Sequence, residues 1–197
     1  MVIRRRHPII IVSGLPRSGT SMMMRALEAG GIPPLTDRVR APDDDNPRGY
    51  YEFERVKRLP DGDTGWLDDA RGKAVKVIAA LLEYLPSGYS YQVIFMHRRM
   101  PEILASQRKM LLRRGEDPDQ ISDETLERAF GKHVARATSW LARHPDFKSL
   151  DIDYHAMLDR PKTHVARVNT FLGGHLDELA MAGVVDPTLY RNRAEHS

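Results

Sequence analysis

With 197 residues, 41% of them apolar and 29% charged, the chain has the length and apolar content of one folded domain and not the profile of a disordered segment. It has no cysteine, which excludes disulfides, cysteine-ligated zinc, iron–sulfur clusters and a thiol nucleophile and agrees with a cytoplasmic setting. Thirty Lys and Arg against 27 Asp and Glu leave a net charge of +3 with no long basic tract, so the expected partner is a small anion and not nucleic acid.

The opening Met1-Val2-Ile3-Arg4-Arg5-Arg6-His7-Pro8 is basic but lacks the long apolar region and cleavage site of a signal peptide. No apolar run is long enough to cross a bilayer. Ile9-Ile10-Ile11-Val12 is a continuous β-branched run, the pattern of a central parallel strand buried on both faces. A Gly-rich loop follows, Ser13-Gly14-Leu15-Pro16-Arg17-Ser18-Gly19-Thr20-Ser21, and then a helix over 22–29 that Gly30-Gly31 closes.

Residues 32–65 carry the densest turn signals: Pro33-Pro34, Asp43-Asp44-Asp45, Asn46-Pro47-Arg48-Gly49 and Asp61-Gly62-Asp63. They predict an irregular excursion over the sheet edge, with a short helix around 52–59. A strand over 74–78, a short helix over 79–85 and a strand over 91–96 come next. A helix begins near Pro101, a favourable first helical position, and stops at Gly115. Ser122 can cap a long helix to about residue 142, because Leu126, Phe130, Val134, Ala137 and Leu141 recur at spacings of three and four. A strand over 147–152 and a helix opened by Pro161 complete the series. Strands alternating with helices predict an α/β domain spanning residues 1–197, a three-layer P-loop-like fold with a central parallel sheet flanked by helices.

The loop between the first strand and helix is the first candidate site. Amides at a helix mouth, with the helix dipole behind them, favour an anion. Gly14 and Gly19 match the spacing of the triphosphate-binding loop G-x-x-x-x-G-K-[ST], but Thr20 stands where that loop has lysine, and the cation is instead Arg17. The eight histidines form no H-E-x-x-H pattern, and Asp43-Asp44-Asp45 has no His or Glu at ligand spacing, so no metal is expected. Met22-Met23-Met24 reads as core filler.

The string Gly14-Leu15-Pro16-Arg17-Ser18-Gly19-Thr20-Ser21 resembles the 5′-phosphosulfate loop of sulfotransferases that use 3′-phosphoadenosine-5′-phosphosulfate (PAPS), with Arg17 at the place of the family's cation. The family's 3′-phosphate site pairs an Arg at a strand end with a Ser about two helical turns later. Arg98 and Ser106 are similar to that pair, Arg99 being the competing arginine. Tyr154, Pro161 and Phe171-Leu172-Gly173 resemble the family's approach to its C-terminal helix. These matches frame residues 8–175.

The resemblance implies sulfuryl transfer from PAPS, as donor, to a hydroxyl or amine of a small molecule or glycan. It implies donor binding by Gly14, Pro16, Arg17, Ser18, Gly19, Thr20, Ser21, Arg98 and Ser106. It further implies Arg17 as the catalytic cation, Lys76 as a second one, and Glu52 as the base that takes the acceptor's proton, with Glu54, His97 and His133 as the alternatives. Read alone, Glu52 is a solvated loop carboxylate, and Lys76 a strand-end lysine facing water. Two other functions stay open: a small-molecule or nucleotide kinase of the P-loop class, and a catalytically inactive module binding PAPS or 3′-phosphoadenosine-5′-phosphate (PAP).

Overall fold

The computed structural model describes residues 7–37 and 49–185. The basic stretch Arg4–Arg6, the triple Asp43-Asp44-Asp45 and the turn at Asn46-Pro47-Arg48 lie outside the described residues. Four strands carry the architecture: β1 (Ile9–Gly14), β2 (Ala74–Lys76), β3 (Tyr91–His97) and β4 (Phe147–Asp153). The helices are α1 (Thr20–Ala29), α2 (Met100–Arg113), α3 (Asp123–Arg143), α4 (Tyr154–Asp159), α5 (Pro161–Leu172) and α6 (Glu178–Gly183). Two 3₁₀ segments, Glu54–Asp61 and Ala79–Tyr84, lie on either side of β2.

The sheet runs β2-β1-β3-β4 and every pairing is parallel. The register sets Val12 against both Lys76 and Ile94, Gly14 against Met96, and His97 against Asp153. Every residue of β1 is buried, as its unbroken apolar run requires of a central strand.

Side chains alternate across the sheet and sort the core into two layers. Ile10, Val12, Ile94 and Ile152 face α1, α4, α5 and α6, packing on Met23, Met24, Leu27, Met157, Val165 and Met181. Ile9, Ile11, Val93 and Phe95 face the opposite way, onto the two 3₁₀ segments and α3, through Leu59, Trp66, Leu82, Ala137 and Leu141. Tyr91 stacks on Phe147 at 4.2 Å in that second layer. A fully buried aliphatic side chain contributes roughly 1.5–3 kcal/mol, so both layers are needed to hold the short strands together. The fold is α/β with helices on both faces of a parallel sheet, as the element alternation predicts.

Some local expectations need correction. The 79–85 segment is a 3₁₀ helix. The one expected at 52–59 is also 3₁₀ and begins and ends later, at Glu54–Asp61; Pro60 inside it and left-handed Gly62 at its end prevent a regular α-helix. β2 pairs for only three residues, stopping at Lys76. Helices α4 and α6 are additional. Asp153 and Asp177 cap them, accepting from the amides of Ala156 (2.8 Å) and Ala180 (2.9 Å). Ser122 caps α3 through Thr125 as expected. With all strands parallel, the C-terminal ends of β2, β1 and β3 form one rim that carries Lys76, Gly14 and His97.

Candidate active site

The rim is built around the turn after β1. Gly14 has φ +143°, and a Cβ there would lie 2.6 Å from the Met96 carbonyl oxygen and 2.6 Å from Ser18 Oγ. The loop therefore packs so closely against β3 that only glycine fits there. Ser18 is buried, and its Oγ, close to Gly14, has no hydrogen-bond partner among the described residues, an orphaned donor beside the loop amides. Ser18 N–H closes the turn onto the Leu15 carbonyl at 3.2 Å. Arg17 sits at φ +71°, a left-handed backbone that a non-glycine residue adopts only when its surroundings hold it there. Gly19 caps α1 at φ +99°, and a Cβ on it would fall 2.5 Å from the Tyr154 ring.

Two distant elements fix Arg17. Its Nε donates to Ser106 Oγ at 2.8 Å, with Ser106 buried on α2. Its carbonyl accepts from a terminal guanidinium nitrogen of Arg98 at 3.0 Å. The two segments singled out in the sequence, loop 14–21 and the Arg98–Ser106 stretch, thus meet through both the side chain and the backbone of one residue.

Arg98 lies just beyond the end of β3, and its guanidinium is held on several sides. Its Nε donates to Glu102 Oε2 at 3.0 Å, one helical turn on in α2. The guanidinium carbon lies 4.5 Å over the Tyr154 ring. Glu102 is 0% exposed, a carboxylate that burial penalises unless it is paired. Its second oxygen, Oε1, lies 2.8 Å from His155 Nε2. Burial pushes the Tyr154 phenol up from its ordinary range, against the opposing pull of Arg98. Arg99, the competing arginine, is exposed at the N-cap of α2. The structure therefore brings Arg98 to the loop and leaves Arg99 outside.

Lys76 reaches the other side of the loop. Its Nζ lies 3.1 Å from Ser21 Oγ and 2.8 Å from the Tyr50 carbonyl oxygen. Ser21 and Lys76 are thus joined, together with the chain returning from the excursion. Glu52 is two residues further along that returning arm; its carbonyl accepts from Thr36 Oγ1 at 2.7 Å. Glu54 is turned to a surface pair with Lys57 at 2.7 Å. Of the alternative bases, His97 is paired with Asp151 at 2.6 Å, and exposed His133 lies on α3 in a groove with Pro60, Leu81, Tyr84 and Trp140. That groove holds about 260 Å³ and none of the loop residues line it. Thr20 is buried at the helix mouth and Pro16 is exposed. Among the described residues no group of three or more His, Cys, Asp or Glu side chains is arranged to hold a metal ion.

Glu102, His155 and the Tyr50 carbonyl were not singled out in the sequence. Glu102 was findable, since it follows Arg98 by four residues across a helix start, the spacing of an ion pair. Nothing local marks His155, which arrives by way of α4, or a backbone carbonyl.

No protein-family model and no curated protein matches the chain. Solved structures do. The sulfotransferase domain of the olefin synthase of Synechococcus PCC 7002 superposes with a TM-score of 0.58 at 14% identity, over 98% of this chain and 91% of that one. The chain has the sulfotransferase fold. A sulfotransferase domain from the curacin biosynthetic pathway gives 0.57 at 14% identity, over 98% and 94%. Mouse sulfotransferase SULT7A1, solved in complex with PAP, gives 0.55 at 20% identity, over 98% of this chain and 69% of that one. At such identities the likeness is one of fold. No helix among the described residues is long and apolar enough to cross a membrane.

Proposed function

We propose that the protein is a PAPS-dependent sulfotransferase acting on a hydroxyl or amine of a small molecule or glycan, in the cytoplasmic setting that its cysteine-free composition suggests. One observation carries the reading. Arg17, in the strained turn of the loop, is tied to Ser106 through its side chain and to Arg98 through its carbonyl, so the two segments read from the sequence as phosphate-binding meet at one residue. The mouse sulfotransferase that shares the fold was solved with PAP bound, in keeping with a nucleotide that carries phosphates at both its 3′ and 5′ positions.

The residues fit such a donor. The backbone of the loop that Gly14 lets pack against β3, the Ser18 hydroxyl and the α1 amides would hold the 5′ end, with Thr20 and Ser21 beside them. Arg98 and Ser106 would hold the 3′-phosphate. When bound, PAPS supplies the electron-poor sulfuryl group. Arg17 would stabilise negative charge on the phosphate oxygen that leaves, and Lys76 would add a second cation at the same rim. Glu52, on the arm that Lys76 anchors, would take the acceptor's proton. Thr20 in place of the lysine of triphosphate loops argues against a kinase.

Calorimetry with PAP and an acceptor screen with radiolabelled PAPS, both in EDTA, test the proposal, alongside a screen with radiolabelled ATP and magnesium run with and without EDTA. PAP binding and metal-independent label transfer are the expected results. Absence of PAP binding overturns it. PAP binding without transfer to any acceptor class leaves a binding module, and ATP-dependent transfer abolished by EDTA identifies a kinase.

A further inference from the structure

We propose that Glu102 and Tyr154 are positioning residues for Arg98, and that selectivity for a 3′-phosphorylated nucleotide depends on them. The inference rests on the reading above, in which Arg98 meets the 3′-phosphate, and adds to it what makes one arginine selective.

A guanidinium on a long side chain has many orientations, and each hydrogen bond to a phosphate must offset the cost of losing them. Here that cost is met before any ligand arrives. Glu102 Oε2 takes the Nε edge at 3.0 Å and so sets the rotation of the guanidinium plane. The Tyr154 ring, 4.5 Å from the guanidinium carbon, covers one face of that plane. The Arg17 carbonyl takes a terminal nitrogen at 3.0 Å. An edge, a face and a corner are each assigned to a different element: α2, α4 and the loop.

The carboxylate is itself fixed. Glu102 is wholly buried, and its other oxygen lies 2.8 Å from His155 Nε2, so it cannot swing without breaking a second contact. Tyr154 is held as well, since its ring packs where a side chain on residue 19 would be. The negative charge of Glu102 would by itself repel a phosphate. Its benefit must therefore come from orientation, and the two effects predict opposite outcomes when it is removed.

The experiment compares the affinities of PAP and of AMP, its 3′-hydroxyl counterpart, by calorimetry. Wild type is expected to prefer PAP. Glu102→Met, which keeps the volume but removes both acceptor oxygens, should lower the PAP-to-AMP affinity ratio by about tenfold or more. Tyr154→Leu should do the same, while Tyr154→Phe, which keeps the ring, should hold the ratio within about threefold of wild type. Thermal melts identify folded variants, and if Glu102→Met does not fold, the Tyr154 pair decides. A ratio unchanged or raised in a folded Met or Leu variant overturns the inference, and so does an equal loss of both nucleotides. If wild type itself shows no preference for PAP, the 3′-phosphate reading of Arg98 fails first, a result distinct from failure of the positioning role.

Discussion

Arg17 and Ser106 stand 89 residues apart in the chain and 2.8 Å apart in space, the guanidinium Nε donating to the serine hydroxyl. The contact aims a side chain that starts from a left-handed backbone, so its direction is fixed from both ends. Arg17→Ala should lower kcat/KM for sulfuryl transfer by on the order of 10²–10³-fold, the cost of deleting one preorganised donor. Steady-state kinetics checks this, and a loss below about threefold removes Arg17 from the reaction. Because the backbone at φ +71° disfavours any Cβ, Arg17→Gly should be more stable than Arg17→Ala by roughly 1 kcal/mol, read from denaturant midpoints.

Gly14 tests the close packing of the loop against β3. An added Cβ would meet a backbone oxygen, Met96 O, at 2.6 Å, and a backbone atom of a central strand cannot step aside. The φ of +143° adds conformational strain. Gly14→Ala should cost about 2–4 kcal/mol and widen or close the loop, abolishing PAP binding in whatever fraction folds. At Gly19 the obstacle is the Tyr154 ring, a side chain that can rotate, so Gly19→Ala should cost less than Gly14→Ala. Equal melting temperatures for Gly14→Ala and wild type would show that the turn does not pack against β3 as tightly as described.

Legibility in the sequence followed the range of the interactions. The strand β1 and loop 14–21 could be read because their signals are local: a β-branched run, two glycines at fixed spacing and a cation between them. The caps of α4 and α6 were equally local, yet Asp153 and Asp177 open helices of only six residues, too short for the periodicity that marks α3. The boundaries around β2 depended on pairing with β1, which no local pattern reports. Arg98 was separable from Arg99 only once the Arg17 carbonyl was in place. His155 reaches Glu102 because β4 lies beside β3 and α4 starts at its end, a tertiary fact with no trace in the neighbouring residues.

Lys76 makes the returning arm part of the site. Its ammonium bridges Ser21 Oγ and the Tyr50 carbonyl, while Tyr51, the next residue, holds a left-handed φ of +53° and donates its hydroxyl to Glu28 at 2.5 Å. A strained residue persists only where neighbouring contacts over-determine it. Lys76→Met keeps the stem and removes the charge, so residues 49–53 should lose their anchor without loss of the β-sheet. Hydrogen exchange should quicken by about tenfold or more over 49–53 and stay unchanged over β1. Exchange in the arm that matches wild type would show that Lys76 does not hold it.

His164 gives the protein a pH dependence away from the rim. It is 7% exposed on α5, with Nε2 buried and lacking a hydrogen-bond partner among the described residues, and Nδ1 lies 3.3 Å from an Arg167 terminal nitrogen. Burial lowers its pKa below the usual 6.5, and the cationic neighbours Arg167 and Arg160 lower it further, against a smaller opposing pull from Asp153. The unfolded chain therefore binds this proton more readily than the folded one. The stability contributed by neutral His164 is fully present above the unfolded value of 6.5 and is lost as pH falls below it, towards the lower folded pKa. Denaturant unfolding at about pH 7 and about pH 5 should show wild type losing more stability than His164→Leu over the same interval, because leucine has no proton to gain. An equal loss in the two proteins would mean that the folded state accommodates a charged imidazole at this position.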